Sequence, residues 1–124
     1  MALNPTYNYL KSQDSHIVLC FSDSVATSSK YLKGAGGIAD DGYPMPYEGK
    51  ILAVSVYDGS EVRHQTGEVD FSANDRLSVY AEYDVGEFAV YVRKDGINTA
   101  ISAGGVSPAT DLLVTVTCKI TEIP

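Results

Sequence analysis

From Leu112 to Ile120 the chain places an apolar side chain at every second position. Leu112, Val114, Val116, Cys118 and Ile120 share one face, and Leu113, Thr115, Thr117 and Lys119 share the other. A two-residue period of this kind is that of a half-buried β-strand. The same period recurs upstream. Leu77, Val79, Ala81 and Tyr83 oppose Ser78, Tyr80 and Glu82, while Phe88, Val90 and Val92 oppose Ala89, Tyr91 and Arg93. Asp84-Val85-Gly86-Glu87 lies between these two runs, so they read as an antiparallel hairpin. No stretch keeps apolar residues at i, i+3, i+4 and i+7 for three turns. The expectation is an all-β chain: a single β-sandwich, jelly-roll-like.

The remaining segments fill in this scheme. Residues 16–21 form a first strand. Residues 51–57 form another, with Leu52, Val54 and Val56 facing one way, and it stops at Asp58-Gly59. Lys94-Asp95-Gly96-Ile97 turns the chain into a short segment, residues 98–103. Residues 104–108 read as a loop, and Ser107-Pro108-Ala109-Thr110-Asp111 is the one place for a helical turn. With 124 residues there is room for one core. Residues 1–15 read as an N-terminal arm, polar apart from the anchors Tyr7, Tyr9 and Leu10, and residues 16–124 as the sandwich domain. Within that domain residues 22–49 make a long excursion containing Gly34-Ala35-Gly36-Gly37 and Asp40-Asp41-Gly42. A loop of this length must be ordered by a sheet edge or by another subunit.

Charge narrows the partners. Sixteen acidic against nine basic residues give a net charge of −7, and Arg93-Lys94 is the only adjacent basic pair. Direct contact with nucleic acid is not expected, and neither is an anionic membrane surface. No apolar run is long enough to span a bilayer, and the N-terminal residues lack the pattern of a secretory signal. Cys20 and Cys118 have no metal-type spacing. They read as two buried, inert thiols of a protein assembled in a reducing compartment, a staple between terminal strands being the alternative.

Catalytic vocabulary is thin. His16 starts a strand and His64 lies in the polar stretch Arg63-His64-Gln65-Thr66, and neither adjoins a nucleophile motif. The chain is therefore expected not to be an enzyme, with no catalytic residue, no cofactor and no resident metal. Asp40 and Asp41 beside Gly42 have oxygens to offer Ca²⁺ but lack the spacing of a calcium loop, so they read as a solvated acidic loop. Residues 34–37 are followed by neither a Lys-Ser/Thr pair nor a helix, which removes the phosphate-loop reading. Nine tyrosines without a tryptophan are more informative. Tyr80 and Tyr91 fall on the non-core faces of their strands, where they serve as ordinary sheet surface, as protein interface or as a platform for sugar rings. The candidate contact residues are Tyr7, Tyr9, Leu10, Tyr43, Met45, Tyr47, Tyr80 and Tyr91.

Three stretches carry a resemblance. Residues 45–56, Met45-Pro46-Tyr47-Glu48-Gly49-Lys50-Ile51-Leu52-Ala53-Val54-Ser55-Val56, resemble the "mP-x-x-G-x-I-x-x-i-S-v" stretch of small all-β domains in tailed-bacteriophage structural proteins. Phe71-Ser72-Ala73-Asn74-Asp75-Arg76-Leu77-Ser78-Val79 is similar to their "F-x-a-G-D-r-l-s-v" stretch, with Asn74 at the glycine position. Arg93-Lys94-Asp95-Gly96 is similar to their "r-K-N-G" turn, and residues 111–116 resemble their closing strand. The resemblance implies a capsid decoration (cement) protein, often trimeric, on the capsid surface of a virion assembled in the host cytoplasm. Its partners would be itself, expected as a homotrimer, and the major capsid protein or other virion proteins. A receptor-binding fibre module or a lectin-like carbohydrate-binding sandwich is the alternative.

Overall fold

The computed structural model describes residues 15–34, 37 and 42–121. Its strands are β1 (Ser15–Val25), β2 (Lys30–Tyr31), β3 (Tyr43–Pro44), β4 (Gly49–Tyr57), β5 (Val62–Phe71), β6 (Arg76–Asp84), β7 (Glu87–Lys94), β8 (Ile97–Val106) and β9 (Ala109–Ile120). Two antiparallel sheets pack face to face. The first runs β1-β9-β4-β5 and the second β2-β6-β7-β8, with β3 also paired to β6. The all-β sandwich expected from the alternation is the architecture of the chain.

The alternating residues line the space between the sheets. Leu112, Val114, Val116, Cys118 and Ile120 meet Leu77, Val79, Ala81, Phe88, Val90 and Val92, with Phe21, Leu32, Ile51 and Val54 among them. Burying these side chains is the main drive to fold, at about 25 cal/mol per Å² of apolar surface removed from water. Two hairpin turns close on two residues each. Asp84 pairs with Glu87 across Val85 and Gly86, at φ 45° and 83°. Lys94 pairs with Ile97 across Asp95 and Gly96, at φ 52° and 80°. Positive φ at both positions is the geometry whose twist matches the flanking strands. Asn74 adopts φ 73°, a left-handed conformation that asparagine tolerates better than most residues.

Four local expectations are corrected. In β4 the pairing slips between Ile51 and Ala53, so Leu52 is an extra, half-buried residue, and Ile51 joins Val54 and Val56 in the core. Such a bulge puts core residues three apart, which strict alternation does not anticipate. Residues 104–106 belong to β8, with Val106 fully buried, rather than to a loop. No helical turn forms at 107–111, because Ala109 already starts β9 opposite Val25. Cys118 is buried but Cys20 is exposed: the alternation that seats Phe21 in the core turns Cys20 outward. The two thiols thus lie on opposite faces of their sheet, which removes the staple.

The excursion from residue 22 is ordered by sheet edges in its described parts. Tyr31 pairs with Tyr80, the Leu32 amide donates to the Val79 carbonyl, and Lys33 then exchanges two backbone hydrogen bonds with Ser22 of β1. These residues cross from one sheet to the other and close that side of the sandwich. On the opposite side, the Ser102 amide of β8 donates to Gln65 Oε1 of β5 at 2.9 Å. The arm anchors Tyr7, Tyr9 and Leu10, and the pair Asp40 and Asp41, lie outside the described residues.

Candidate functional site

Strand register assembles two outward faces. On the second sheet Tyr31, Tyr80 and Tyr91 are successive cross-strand partners, a tyrosine row over β2, β6 and β7 that continues to Ser102 of β8. The Tyr31 and Tyr80 rings meet edge to face at 4.9 Å. Arg93, two residues beyond Tyr91 on the same face, lies with its guanidinium carbon 3.9 Å from the Tyr80 ring centroid. It donates to the Tyr31 hydroxyl and to Asn98 Oδ1, each at 2.6 Å. One guanidinium on β7 therefore ties its own strand to β2, β6 and β8. Tyr80 and Tyr91 were legible from their alternation. Tyr31 was not, because β2 is two residues long and has no period to read.

The other candidate contact residues occupy different places. Met45 is 2% exposed and sits in the core. Its amide donates to the Asp75 carbonyl, and its own carbonyl accepts from Asn74. Tyr43 and Tyr47 pack half-buried against the core, Tyr43 meeting Phe21 edge to face at 5.6 Å. A side chain added at Gly34 would strike the Tyr43 ring, so this glycine is what lets the ring lie down.

On the first sheet the outward face is built in rows. Tyr57 stands between Leu113 and Val62, Ser55 between Thr115 and His64, and Ala53 between Thr117 and Thr66. On the edge strand β1, Ser22, Cys20 and Val18 continue these rows beside Leu113, Thr115 and Thr117. Ser55 Oγ and His64 Nδ1 are 2.6 Å apart. A serine against an imidazole is the beginning of a nucleophile–base pair, but that chemistry also needs a group to orient the ring and donors for an oxyanion. His64 makes no ion pair among the described residues, and the depression it borders, about 420 Å³, is lined by Arg63, Gln65 and Ser102 at the open seam between β5 and β8. The pair works as a cross-strand hydrogen bond on an exposed sheet.

Electrostatics at the ends of this face are local. Lys50 lies 2.9 Å from Asp70 and 3.3 Å from Glu68; hydrogen bonds to these two carboxylates raise its pKa, and the same contact lowers that of Asp70. Burial pushes the Cys118 thiol up to about 12. No group of three or more His, Cys, Asp or Glu is placed to hold a metal among the described residues. Neither a family model, nor a curated protein, nor a solved structure matches the chain.

Proposed function

We propose that the chain is a non-enzymatic structural protein of a tailed-bacteriophage virion, a decoration or cement protein that binds and stabilises the head through oligomeric contacts. The observation that carries this reading is the placement of its contact-type side chains. Tyr31, Tyr80 and Tyr91 line the outward face of one sheet, and Val18, Tyr57, Val62 and Leu113 that of the other, which gives broad surfaces rather than a cleft. The resemblance of residues 45–56, 71–79, 93–96 and 111–116 to small phage structural domains supports the same role, as does an acidic chain that stays soluble before it assembles. Major capsid protein or other virion proteins would be the partners and the capsid surface the location. Antibody labelling of particles from the source of the sequence, viewed by electron microscopy, tests the reading. Regular label over the heads is expected, and particles without label would overturn it.

A second reading rests on the tyrosine row. Tyr31, Tyr80 and Tyr91 with Arg93 form an aromatic and cationic strip of the kind on which sugar rings stack. Under that reading the chain is a lectin-like or receptor-binding fibre module. Reproducible glycan-array binding that is lost in Tyr80→Ala would favour it over the decoration role.

A further inference from the structure

Six large apolar side chains are conspicuously exposed among the described residues, and four of them, Val18, Tyr57, Val62 and Leu113, lie on the outward face of the first sheet. Leu113, Tyr57 and Val62 form one continuous row across β9, β4 and β5, and Val18 stands two rows away on β1. The positions between them are Cys20, Ser22, Ala53, Ser55, His64, Thr66, Thr115 and Thr117. Across three rows and four strands there is no Asp, Glu, Lys or Arg. The charges begin at one end, where Lys119, Lys50 and Asp70 pair across the sheet. In a chain carrying 25 ionised residues and a net charge of −7, an uncharged face of this extent is a marked departure from the rest of the surface.

We infer that this face packs against the same face of a second copy of the chain. Charge selects the occupant. Two copies carry the same net charge and repel over most of their surfaces, and here they can meet without bringing like charges together. Of the polar groups in the middle, Ser55 Oγ and His64 Nδ1 already pair with each other, so that hydrogen bond is kept on burial. An uncharged patch is also complementary to itself, which is what a two-fold, isologous contact requires. A head-to-tail ring would instead set it against a charged region of the neighbour.

Size determines strength. With strands about 4.8 Å apart and about 3.4 Å per residue along them, the face covers on the order of 400 Å². A stable interface takes about 800 Å² from each partner, so the contact is weak between free molecules. Copies held side by side on a particle meet at high effective concentration, where a weak contact suffices. The inference rests on the oligomeric contact in the proposed function, and it is tested on the isolated protein, apart from particle labelling. A failure here leaves the labelling result to speak for itself.

Sedimentation equilibrium up to about 1 mM protein is the experiment, with Cys20 labelling by a thiol reagent in parallel. The wild type should pass from monomer to dimer mass as concentration rises, and Cys20 labelling should slow over the same range. Leu113→Lys and Val18→Lys should shift the midpoint at least about tenfold upward. Both lower the net negative charge, so weaker association cannot be blamed on added repulsion. Ile97→Lys makes the same charge change at an exposed site of the other sheet and should leave the midpoint alone. A wild type that stays monomeric would overturn the inference. So would a trimeric mass, association without protection of Cys20, or equal shifts in all three variants. If a lysine variant does not fold, the wild-type labelling decides.

Discussion

The Ser107 amide donates to Asp58 Oδ2 at 3.2 Å, tying the loop before β9 to the β4–β5 turn 49 residues earlier. The other carboxylate oxygen accepts from the amides of Ser60 and Glu61 and from the Ser60 hydroxyl. Asp58 is thus a hub: it builds the turn after β4 and anchors the chain where it enters β9, the strand between β1 and β4.

These donors hold its carboxyl well below the usual value of 3.8, the Glu61 amide most strongly, then those of Ser60 and Ser107. A carboxyl lowered on folding adds stability that is complete above its unfolded pKa and is lost as pH falls toward the folded one. Wild-type melting temperature should therefore decline as pH drops below about 4. Asp58→Asn should melt lower at pH 7 and show a shallower acid decline, the remainder coming from groups such as Asp70, whose pKa is also lowered. Parallel melting-temperature curves from pH 7 to pH 2 for the two proteins would dismiss the hub.

Val85 is a β-branched residue at φ 45°, 89% exposed at the tip of the β6–β7 hairpin. The left-handed region costs an L-residue about 1–2 kcal/mol, and asparagine tolerates it far better. With no packing to lose, Val85→Asn should stabilise the protein by about 1 kcal/mol. The denaturant midpoint should rise with an unchanged slope. An unmoved midpoint would show that the hairpin bears no such strain.

How much of this was legible depended on which force placed each residue. β6, β7 and β9 are buried on one face, so their alternation is written in the side chains, and Tyr80 and Tyr91 were assigned to the outward face from it. β5 leaves no mark in the sequence because residues 62–68 are exposed on an edge strand, where no apolar period is required. His64 therefore read as part of a polar stretch and not as the partner of Ser55. The uncharged face was equally hidden. Its rows are set by cross-strand register among four strands drawn from three distant parts of the sequence, and a slip as small as the Leu52 bulge decides which residues line up. Met45 illustrates the converse: a methionine between prolines looks like loop, but backbone hydrogen bonds to Asn74 and Asp75 draw it into the core.

The two thiols should differ sharply. Cys20 is exposed on the edge strand, whereas Cys118 is buried and its pKa is pushed up to about 12. The thiolate is the reactive form, so Cys118 is shielded both by packing and by protonation. A dilute native sample at pH 8 should titrate one thiol rapidly with a chromogenic disulfide reagent, and the denatured protein two. Rapid reaction of both in the native state would contradict the burial of Cys118.

The arm and the sandwich should be separable under the proposed function. Deleting residues 1–12 removes Tyr7, Tyr9 and Leu10 and leaves all nine described strands. A segment of this type contributes by ordering on a neighbour through strand addition or through aromatic rings seated in pockets. The truncated chain should keep the wild-type strand signal in circular dichroism yet occupy particles less fully and leave them at lower salt. Full occupancy with wild-type salt resistance would make the arm a bystander.

Arg93 supports the strongest energetic claim about the tyrosine face. Its guanidinium stacks on Tyr80 and is aimed at Tyr31 on one side and Asn98 on the other. A stacked cation contributes about 0.5–2 kcal/mol, and a hydrogen bond to a charged group about 1.5–3 kcal/mol in context. Arg93→Ala should cost about 2 kcal/mol of stability on these figures. Arg93→Lys keeps the charge but not the planar fork, and should recover less than half of that loss. Tyr31→Phe removes one acceptor and keeps the ring, at about 1 kcal/mol. Because Arg93 and Tyr31 share a bond, the double variant Arg93→Lys with Tyr31→Phe should cost less than the sum of the two by about 1 kcal/mol. Denaturant unfolding of the four proteins of this cycle measures that coupling. Strict additivity would mean that the Arg93–Tyr31 hydrogen bond adds nothing to stability, with the guanidinium merely resting on the face.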